Sequence, residues 1–210
     1  MRAVVLYEYG DINKLQIESD QQEPPFGPKE VRVRVRATSI ERAVKVQRNQ
    51  TLLVTGAAGG VGRTAVHLAL KHGAYVIAGV RSSQREEAQK LGAARVVALD
   101  DEKEVASLRD LDAIADTVAG DTIGRLLGAL KPGGVLGSVL GAPEAAQGKN
   151  IRVQAMMAQP DASRLYELAD EVARGGFSIP IACTFSLEDA RKAQDLAEHH
   201  HPGGKVLLVA

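Results

Sequence analysis

One stretch of the sequence, residues 51–70 (TLLVTGAAGGVGRTAVHLAL), constrains the fold more than any other. Its first five residues are β-branched or apolar and predict a short buried strand. Four glycines follow within seven residues, and an amphipathic helix is predicted after them. Because such a turn carries little side-chain bulk, its backbone N–H groups can approach a pyrophosphate at the helix N-terminus. The stretch therefore predicts the phosphate-binding turn of a dinucleotide site.

A glycine turn alone is weak evidence, since glycine turns also serve purely structural purposes. The context here is more specific, because a strand precedes the turn, a helix follows it, and a second apolar strand (YVIAGV) is predicted at residues 75–80. We therefore favour a dinucleotide site over a strand–turn–helix that binds no ligand.

From residue 51 onward, short apolar strands alternate with amphipathic helices. Strands are predicted at residues 51–55, 75–80, 95–99, 112–117, 134–140 and 151–157, and helices at 62–72, 84–91, 121–130 and 162–174. This alternation predicts an α/β fold, a doubly wound parallel Rossmann sheet that is covered on both faces. Local signals mark the helix ends: a capping box from Ser83 to Glu86, Gly92 after the second helix, and the KPGG run at 131–134 after the third.

Both ends of the chain have a different pattern. Strands are predicted at residues 2–8, 30–37, 179–185 and 204–210, and a helix capped at Ser186 is predicted to run to Glu198. Residues 41–48 are interpreted as the end of a helix or as a connector. We expect these ends to pair. The predicted domains are a smaller β-rich lobe, 1–48 with 178–210, and a nucleotide-binding domain, 49–177.

Composition limits the classes of partner and compartment. The 26 basic and 26 acidic residues cancel, so nothing indicates nucleic acid, an anionic membrane or acidic substrates as partners. Aromatic residues are 3% of the chain and tryptophan is absent, which argues against a base-stacking surface. The single Cys183 cannot form an internal disulfide. With no secretory signal and no apolar run of about 18 residues, a cytoplasmic location is expected.

The residue after the second Rossmann strand bears on cofactor choice. NAD-specific sites usually place an Asp or Glu at this point for the adenosine ribose, whereas a cation suits a 2′-phosphate. Here Arg81 is followed by Ser82, Ser83 and Arg85 at a predicted helix start. The alternative is a solvated loop with a helix cap. Given the upstream glycine turn, we favour NADP(H) over NAD(H).

The carboxyl ends of the fourth and fifth Rossmann strands are the other candidate positions, because ligands bind at that edge of an open α/β sheet. Residues 116–120 (DTVAG) close the fourth strand, and Leu140 and Gly141 close the fifth. For Asp116, a buried capping or turn carboxylate is slightly favoured over a catalytic one.

Neither metal binding nor nucleophilic catalysis is predicted. The run His199–His201 is interpreted as a solvated helix end, because adjacent residues on a helix do not share a face. His67 and His72 are predicted on the exposed flank of the first helix, and Cys183 in the core. No G-x-S-x-G elbow occurs. No metal ligand and no catalytic residue is therefore assigned.

Several motifs together resemble a known family. MRAVVLYEYGD, EVRVRVRATSI, VTGAAGGVG, EEAQKLGAARVV, DTVAG, LKPGGVL and GGKVLLV follow one another as in the zinc-independent quinone oxidoreductase branch of the medium-chain dehydrogenase/reductases. The resemblance implies a Rossmann domain with a GroES-like substrate lobe, hydride transfer from NADPH to quinones or α,β-unsaturated carbonyls, and a homodimer formed through the strand near 151–157. It also implies that the backbones at 116–120 and 140–141 pass beside the nicotinamide.

The predicted cofactor-binding residues are Gly56, Ala58, Gly59, Gly60, Val61, Arg81, Ser82, Arg85, Thr117, Val118, Leu140 and Gly141. A short-chain dehydrogenase, the nearest rival, is excluded because no tyrosine is followed four places on by its catalytic lysine.

The sequence departs from the family pattern before the phosphate turn. Ala37–Ile40 is followed directly by Glu41-Arg42-Ala43 rather than by Asn-Pro, and a long stretch that builds most of the family's substrate lobe is absent. The chain is therefore either a shortened member of the family or one from whose sequence a segment is missing. Three hypotheses follow: an NADPH-dependent reductase of a small molecule, an NADP(H)-binding module that does not turn over, or a structural remnant that NADPH does not stabilise.

Overall fold

The computed structural model describes residues 3–8, 10–22, 46–139, 141–155, 162–200 and 202–209. Clustering of contacts divides the chain into two compact units, Ala37–Ser178 and a second unit that combines Met1–Arg36 with Ile179–Ala210. The strand predicted at 30–37 lies outside the described residues, as does most of the connector predicted at 41–48.

The strands and helices are numbered here in chain order. They are β1 (Ala3–Leu6), β2 (Leu15–Glu18), β3 (Thr51–Thr55), α1 (Gly60–Lys71), β4 (Tyr75–Val80), α2 (Arg85–Gln89), β5 (Arg95–Ala98), α3 (Glu102–Ala106), β6 (Leu111–Asp116), α4 (Asp121–Leu126), β7 (Leu130–Ser138), β8 (Arg152–Ala155), α5 (Ala162–Ala173), β9 (Ile181–Ser186), α6 (Ala190–His199) and β10 (Lys205–Val209).

The larger unit contains a six-stranded sheet in the order β5-β4-β3-β6-β7-β8, and all of its strand pairs are parallel. The strand order reverses direction at β3, where β4 lies on one side and β6 on the other. This is the order of a doubly wound nucleotide-binding sheet, with its ligand crevice at the switch point. The predicted fold class is confirmed.

Two hydrophobic clusters cover the two faces of this sheet. Successive residues of a strand point to opposite faces, so Leu52 and Val54 pack in one cluster with Val66 of α1. Leu53 packs in the other cluster, together with Leu126 of α4. Burial on both faces explains why consecutive residues in the middle of a strand, such as Leu52, Leu53 and Val54, are all apolar.

Two predicted helix boundaries are wrong. The helix expected at 84–91 is only α2, preceded by a 3₁₀ turn at Ser82–Gln84, so Ser83 does not cap it. The helix expected at 121–130 ends at Leu126, and β7 already begins at Leu130. The KPGG run therefore lies inside β7, where the pairing register with β6 shifts. Gly133, at φ +77°, lets the backbone make this irregularity.

The short helix α3 was not predicted from the sequence. Asp101 caps it, since its carboxyl accepts hydrogen bonds from the N–H groups of Lys103 and Glu104 at 2.8 and 3.2 Å. An acidic cap before a polar, five-residue helix resembles a solvated loop in sequence. For that reason, periodicity could not detect it.

The smaller unit contains two two-stranded sheets. β1 and β2 are antiparallel, whereas β9 and β10 are parallel and are connected through α6. Arg191 of α6 donates hydrogen bonds to the Leu15 carbonyl at 3.1 Å and the Asn13 carbonyl at 3.4 Å. Cys183 is partly buried, so the prediction that it lies in the core is only partly correct. No helix within the described ranges is long and apolar enough to cross a membrane.

Candidate nucleotide-binding site

The glycine turn joins β3 to α1 at the carboxyl edge of the sheet. Gly56 has φ +63°, a conformation that favours glycine. The N–H of Ala57 donates to the Gly79 carbonyl of β4 at 3.1 Å, and the N–H of Gly59 donates to the Gly56 carbonyl at 2.9 Å. These two bonds hold the turn against the neighbouring strand and close it on itself.

Two glycines of the turn are required by its packing. A Cβ at Gly62 would lie 2.1 Å from the Gly56 carbonyl oxygen, and a Cβ at Gly56 would lie 2.6 Å from both Thr117 Oγ1 and Val118 Cγ1. The atoms near Gly62 belong to the backbone and cannot move aside as a flexible side chain can, whereas at Gly56 the positive φ adds to the side-chain contacts. The absence of side chains at these positions therefore lets α1 start directly against the turn.

The N-terminus of α1 fits a pyrophosphate. The helix is 12 residues long, and its first helical hydrogen bond runs from the Arg63 N–H to the Gly59 carbonyl at 2.9 Å. The N–H groups of Gly60, Val61 and Gly62 precede that bond and have no carbonyl one helical turn earlier. N–H groups of this kind, at the positive end of a helix dipole, can donate hydrogen bonds to phosphate oxygens.

Arg63, which the sequence analysis did not single out, supports this turn from behind. Its side chain is 4% exposed, and its guanidinium donates to the Ala58 carbonyl at 2.9 Å, to Glu87 Oε1 at 3.2 Å and to the Ser178 carbonyl at 3.4 Å. Partial burial raises the pKa of Glu87, but the bonds from Arg63 and Lys90 outweigh it and hold that pKa below its ordinary value. One side chain thus ties the turn to α2 and to the end of the unit.

Replacing Arg63 by Met should keep the buried volume but remove these hydrogen bonds. We expect the free energy of unfolding, measured by urea denaturation, to fall by about 2 kcal/mol, because the Ala58 carbonyl loses its donor and Glu87 keeps only its bond from Lys90. Arg174→Met is the matched control, since that side chain is 78% exposed and should change stability by less than about 0.5 kcal/mol. Equal losses of stability in the two variants would contradict the role of Arg63 in holding the glycine turn.

Asp116, at the end of β6, is 1% exposed and fully engaged. Its Oδ1 accepts from the Thr55 hydroxyl at 2.9 Å and from the Ala119 N–H at 3.0 Å, and its Oδ2 accepts from the Ser138 hydroxyl at 3.0 Å. The carboxyl group therefore joins the ends of β3, β6 and β7. This geometry agrees with the structural role that the sequence analysis slightly favoured.

Thr117 and Val118 follow β6 and lie beside the glycine turn. Thr117 Oγ1 donates to the Thr55 carbonyl at 2.7 Å, and its N–H donates to Thr55 Oγ1 at 3.0 Å. Val118 is 50% exposed. Gly141 follows β7 with φ +98°, and Leu140 lies outside the described residues.

The predicted 2′-phosphate group of residues follows β4. Ser82 is held by Asp100, a residue that the sequence analysis missed: the Ser82 N–H and hydroxyl each lie 2.8 Å from Asp100 Oδ1. The Ser82 hydrogen bonds, joined by the nearby Arg81 charge, hold the pKa of the Asp100 carboxyl below its ordinary value, against the opposing effect of partial burial.

The Arg85 side chain pairs with residues outside the predicted 2′-phosphate group. Its guanidinium forms an ion pair with Glu104 of α3 and donates to the Val96 carbonyl at 3.3 Å. The bond from Arg85 is the main reason that the pKa of Glu104 lies below its ordinary value. The structure therefore brings Arg81 and Ser82 together at the end of β4 but uses Arg85 to join α2 to α3.

The prediction that His67 lies on an exposed flank is wrong. Its ring stacks on Phe177, with centroids 4.7 Å apart, and its Nε2 contacts Glu171 of α5. His72 is exposed, as expected. Among the residues that the structure describes, no three His, Cys, Asp or Glu side chains form a group that could hold a metal ion.

The residues missed by the sequence analysis differ in what could have revealed them. Thr55 and Ser138 end apolar strands on the predicted ligand edge, so their positions were a usable signal. Arg63 and Asp100 gave no local signal, because their partners lie on other elements.

A family model described as zinc-binding dehydrogenase matches residues 91–208, more than half of the chain. The chain belongs to the zinc-binding dehydrogenase family. An acryloyl-coenzyme A reductase from Metallosphaera sedula is 31% identical over 182 residues, covering 80% of this chain and 53% of the relative. A relative from Schizosaccharomyces pombe, described as a probable quinone oxidoreductase, is 30% identical over 195 residues, covering 82% of this chain and 58% of that protein.

Two solved structures share the fold. The quinone oxidoreductase from Coxiella burnetii superposes with a TM-score of 0.73 at 27% identity, over 81% of this chain and 56% of that one. An NAD-dependent alcohol dehydrogenase superposes with a TM-score of 0.70 at 21% identity, which shows the fold alone. The resemblance to the quinone oxidoreductase branch of the medium-chain dehydrogenase/reductases is confirmed. The chain spans about half the length of the curated relatives that it matches.

Proposed function

We propose that this oxidoreductase-family chain binds NADP(H) and reduces quinones or α,β-unsaturated carbonyl compounds. The observation that carries the proposal is the glycine turn, which presents the first N–H groups of α1 at the switch point of the sheet. Relatives named as an acryloyl-coenzyme A reductase and a quinone oxidoreductase support the acceptor class, since both names describe reduction of an activated, electron-poor double-bond system.

The residues at the carboxyl edge have distinct roles in this proposal. Gly56, Ala58, Gly59, Gly60 and Val61 would hold the pyrophosphate. In the same proposal Arg81 and Ser82 would contact the adenosine 2′-phosphate, whereas Thr117, Val118, Leu140 and Gly141 would pass beside the nicotinamide. Arg85, which is paired with Glu104, would have an indirect role, because this ion pair fixes the position of α2.

When bound, the reduced nicotinamide supplies a hydride from its C4, and a proton from solvent completes the two-electron reduction of a quinone to a quinol or of an activated double bond to a single bond. The contribution of the chain is to bind and orient. Asp116 is engaged by the Thr55 and Ser138 hydroxyls, so we assign it no proton-transfer role.

The second candidate is an NADP(H)-binding module without turnover. It is favoured by one observation, that Ile40 is followed directly by Glu41, without the long stretch that builds most of the family's substrate lobe. Both candidates predict cofactor binding, and only the first predicts turnover.

Two measurements separate these candidates. Thermal unfolding with and without NADPH reports binding, and ligand at a hundred times its Kd should stabilise the chain by about 2.7 kcal/mol. NADPH oxidation is then followed with a benzoquinone, a cyclic enone and acryloyl-coenzyme A. Binding with turnover supports the reductase, binding without turnover on any acceptor supports the module, and the absence of stabilisation overturns both.

Arg81→Asp tests the cofactor assignment. Because the substitution replaces a cation by an anion beside the proposed 2′-phosphate, NADPH affinity should fall by more than about tenfold while NADH affinity changes little. Arg174→Asp makes the same change of charge on the exposed end of α5 and serves as the control. Calorimetric titration with both cofactors measures the effect, and equal losses for NADPH and NADH would refute the assignment.

A further inference from the structure

Asp100 lies beside the proposed adenosine end of the site because of the strand register. Val80 of β4 pairs with Ala98 of β5, so the residues just beyond these two strand ends are neighbours. Asp100 Oδ1 lies 2.8 Å from the Ser82 N and 2.8 Å from the Ser82 Oγ, and Oδ2 lies 3.1 Å from the same N. One carboxylate thus takes both hydrogen-bond donors of Ser82.

These donors are the ones that a 2′-phosphate at this position would need. A phosphate oxygen accepts a hydrogen bond from an N–H or a hydroxyl as a carboxylate oxygen does. Asp100 therefore competes for Ser82 with the phosphate that Arg81 would attract.

The charge of Asp100, like its hydrogen bonds to Ser82, disfavours a 2′-phosphate at this position. The Ser82 bonds and the Arg81 charge depress its pKa, so the carboxyl group is ionised at neutral pH. A phosphate monoester carries about 1.5 to 2 negative charges at that pH, and the carboxylate would repel it. An unmodified ribose presents a neutral 2′-hydroxyl instead, and that hydroxyl can donate a hydrogen bond to the carboxylate.

We propose that Asp100 is a specificity-determining residue that weakens NADP(H) relative to NAD(H) and so opposes Arg81. The balance between these two side chains sets how strongly the chain distinguishes the two cofactors. This inference rests on the proposed function, since it concerns the adenosine end of the same cofactor site.

The test is Asp100→Asn, which removes the charge but keeps an oxygen that can accept from Ser82. Calorimetric titration with NADPH and NADH should show the preference for NADPH, the ratio of the two dissociation constants, rising on the order of tenfold. An unchanged ratio overturns the inference. A loss of NADPH affinity also overturns it, because Asp100 would then organise Ser82 for the phosphate.

Asp101→Asn is the matched control. It removes one negative charge from the next residue, and Asn can still accept the N–H bonds of Lys103 and Glu104 that cap α3. Its ratio of dissociation constants should stay within about twofold of the wild-type ratio. A tenfold rise in this variant as well would assign the effect to general charge and overturn the role of the Ser82 contact.

Failure of this inference is distinguishable from failure of the proposed function. If the wild-type chain binds neither cofactor, the proposed function is wrong and the inference falls with it. If the wild-type chain binds cofactor and Asp100→Asn leaves the ratio unchanged, only the inference is wrong. Asp100→Ala, with its thermal unfolding midpoint compared with the wild type, provides a second variant should the Asn variant not fold.

Discussion

Gly62→Ala is expected to destabilise the chain by about 3 kcal/mol and to abolish cofactor binding. The added Cβ would lie 2.1 Å from the Gly56 carbonyl oxygen and 2.8 Å from the Ala57 Cα, both of which are backbone atoms of the glycine turn. Relief requires α1 to move away from the turn, which displaces the N–H groups proposed to hold the pyrophosphate. Urea denaturation and NADPH titration measure the two effects.

Gly128→Ala is the control for this prediction. A Cβ at Gly128 has no heavy atom within 4 Å, and the residue lies in a 3₁₀ turn after α4. Because alanine reduces the entropy of the unfolded chain, this variant should match or exceed the wild-type stability by up to about 1 kcal/mol. If Gly62→Ala behaved as Gly128→Ala does, the tight packing of α1 against the turn would be refuted.

Asp116→Ala is the second large effect, with an expected loss of about 4 kcal/mol in the free energy of unfolding. The substitution removes the acceptor for the Thr55 and Ser138 hydroxyls and for the Val118 and Ala119 N–H groups at a position that is 1% exposed. Buried donors without an acceptor are costly, and here two buried hydroxyls and two partly buried N–H groups lose their acceptor at once.

Asp116→Asn separates the two roles considered for this residue. An amide oxygen can replace Oδ1 as the acceptor, and the amide nitrogen can donate to the Ser138 hydroxyl in place of Oδ2. A structural role predicts that Asn keeps more than half of the stability lost in the Ala variant and that turnover survives. A stable Asn variant without turnover would instead assign Asp116 to catalysis.

Much of the larger unit could be predicted from sequence because its signals are local. The glycine turn needs only residues 56–62, and the apolar strands reflect burial on both faces of the sheet. Thr117 and Val118 could be placed at the carboxyl edge of the sheet because they follow a predicted parallel strand, and the contact of both with the glycine turn is seen only in the structure.

The remaining features of the site depend on how separate strands align. The hydrogen bond from Ser82 to Asp100 depends on the pairing of Val80 with Ala98, and no pattern along the chain predicts that register. Arg63 reaches the Ser178 carbonyl across 115 residues of sequence. The KPGG run was interpreted as the end of a helix because glycine and proline punctuate loops, yet it forms an irregularity within β7.

The smaller unit joins residues from the two ends of the chain, so its first strands are synthesised long before their partner. Arg191 donates to the carbonyl of Leu15, which precedes it by 176 residues. At a synthesis rate of about 5 to 20 residues per second, roughly 9 to 35 seconds separate the emergence of these two residues from the ribosome. The hairpin of β1 and β2 therefore lacks its contact with Arg191 while the whole six-stranded sheet is translated, and a chaperone could bind the hairpin during this interval.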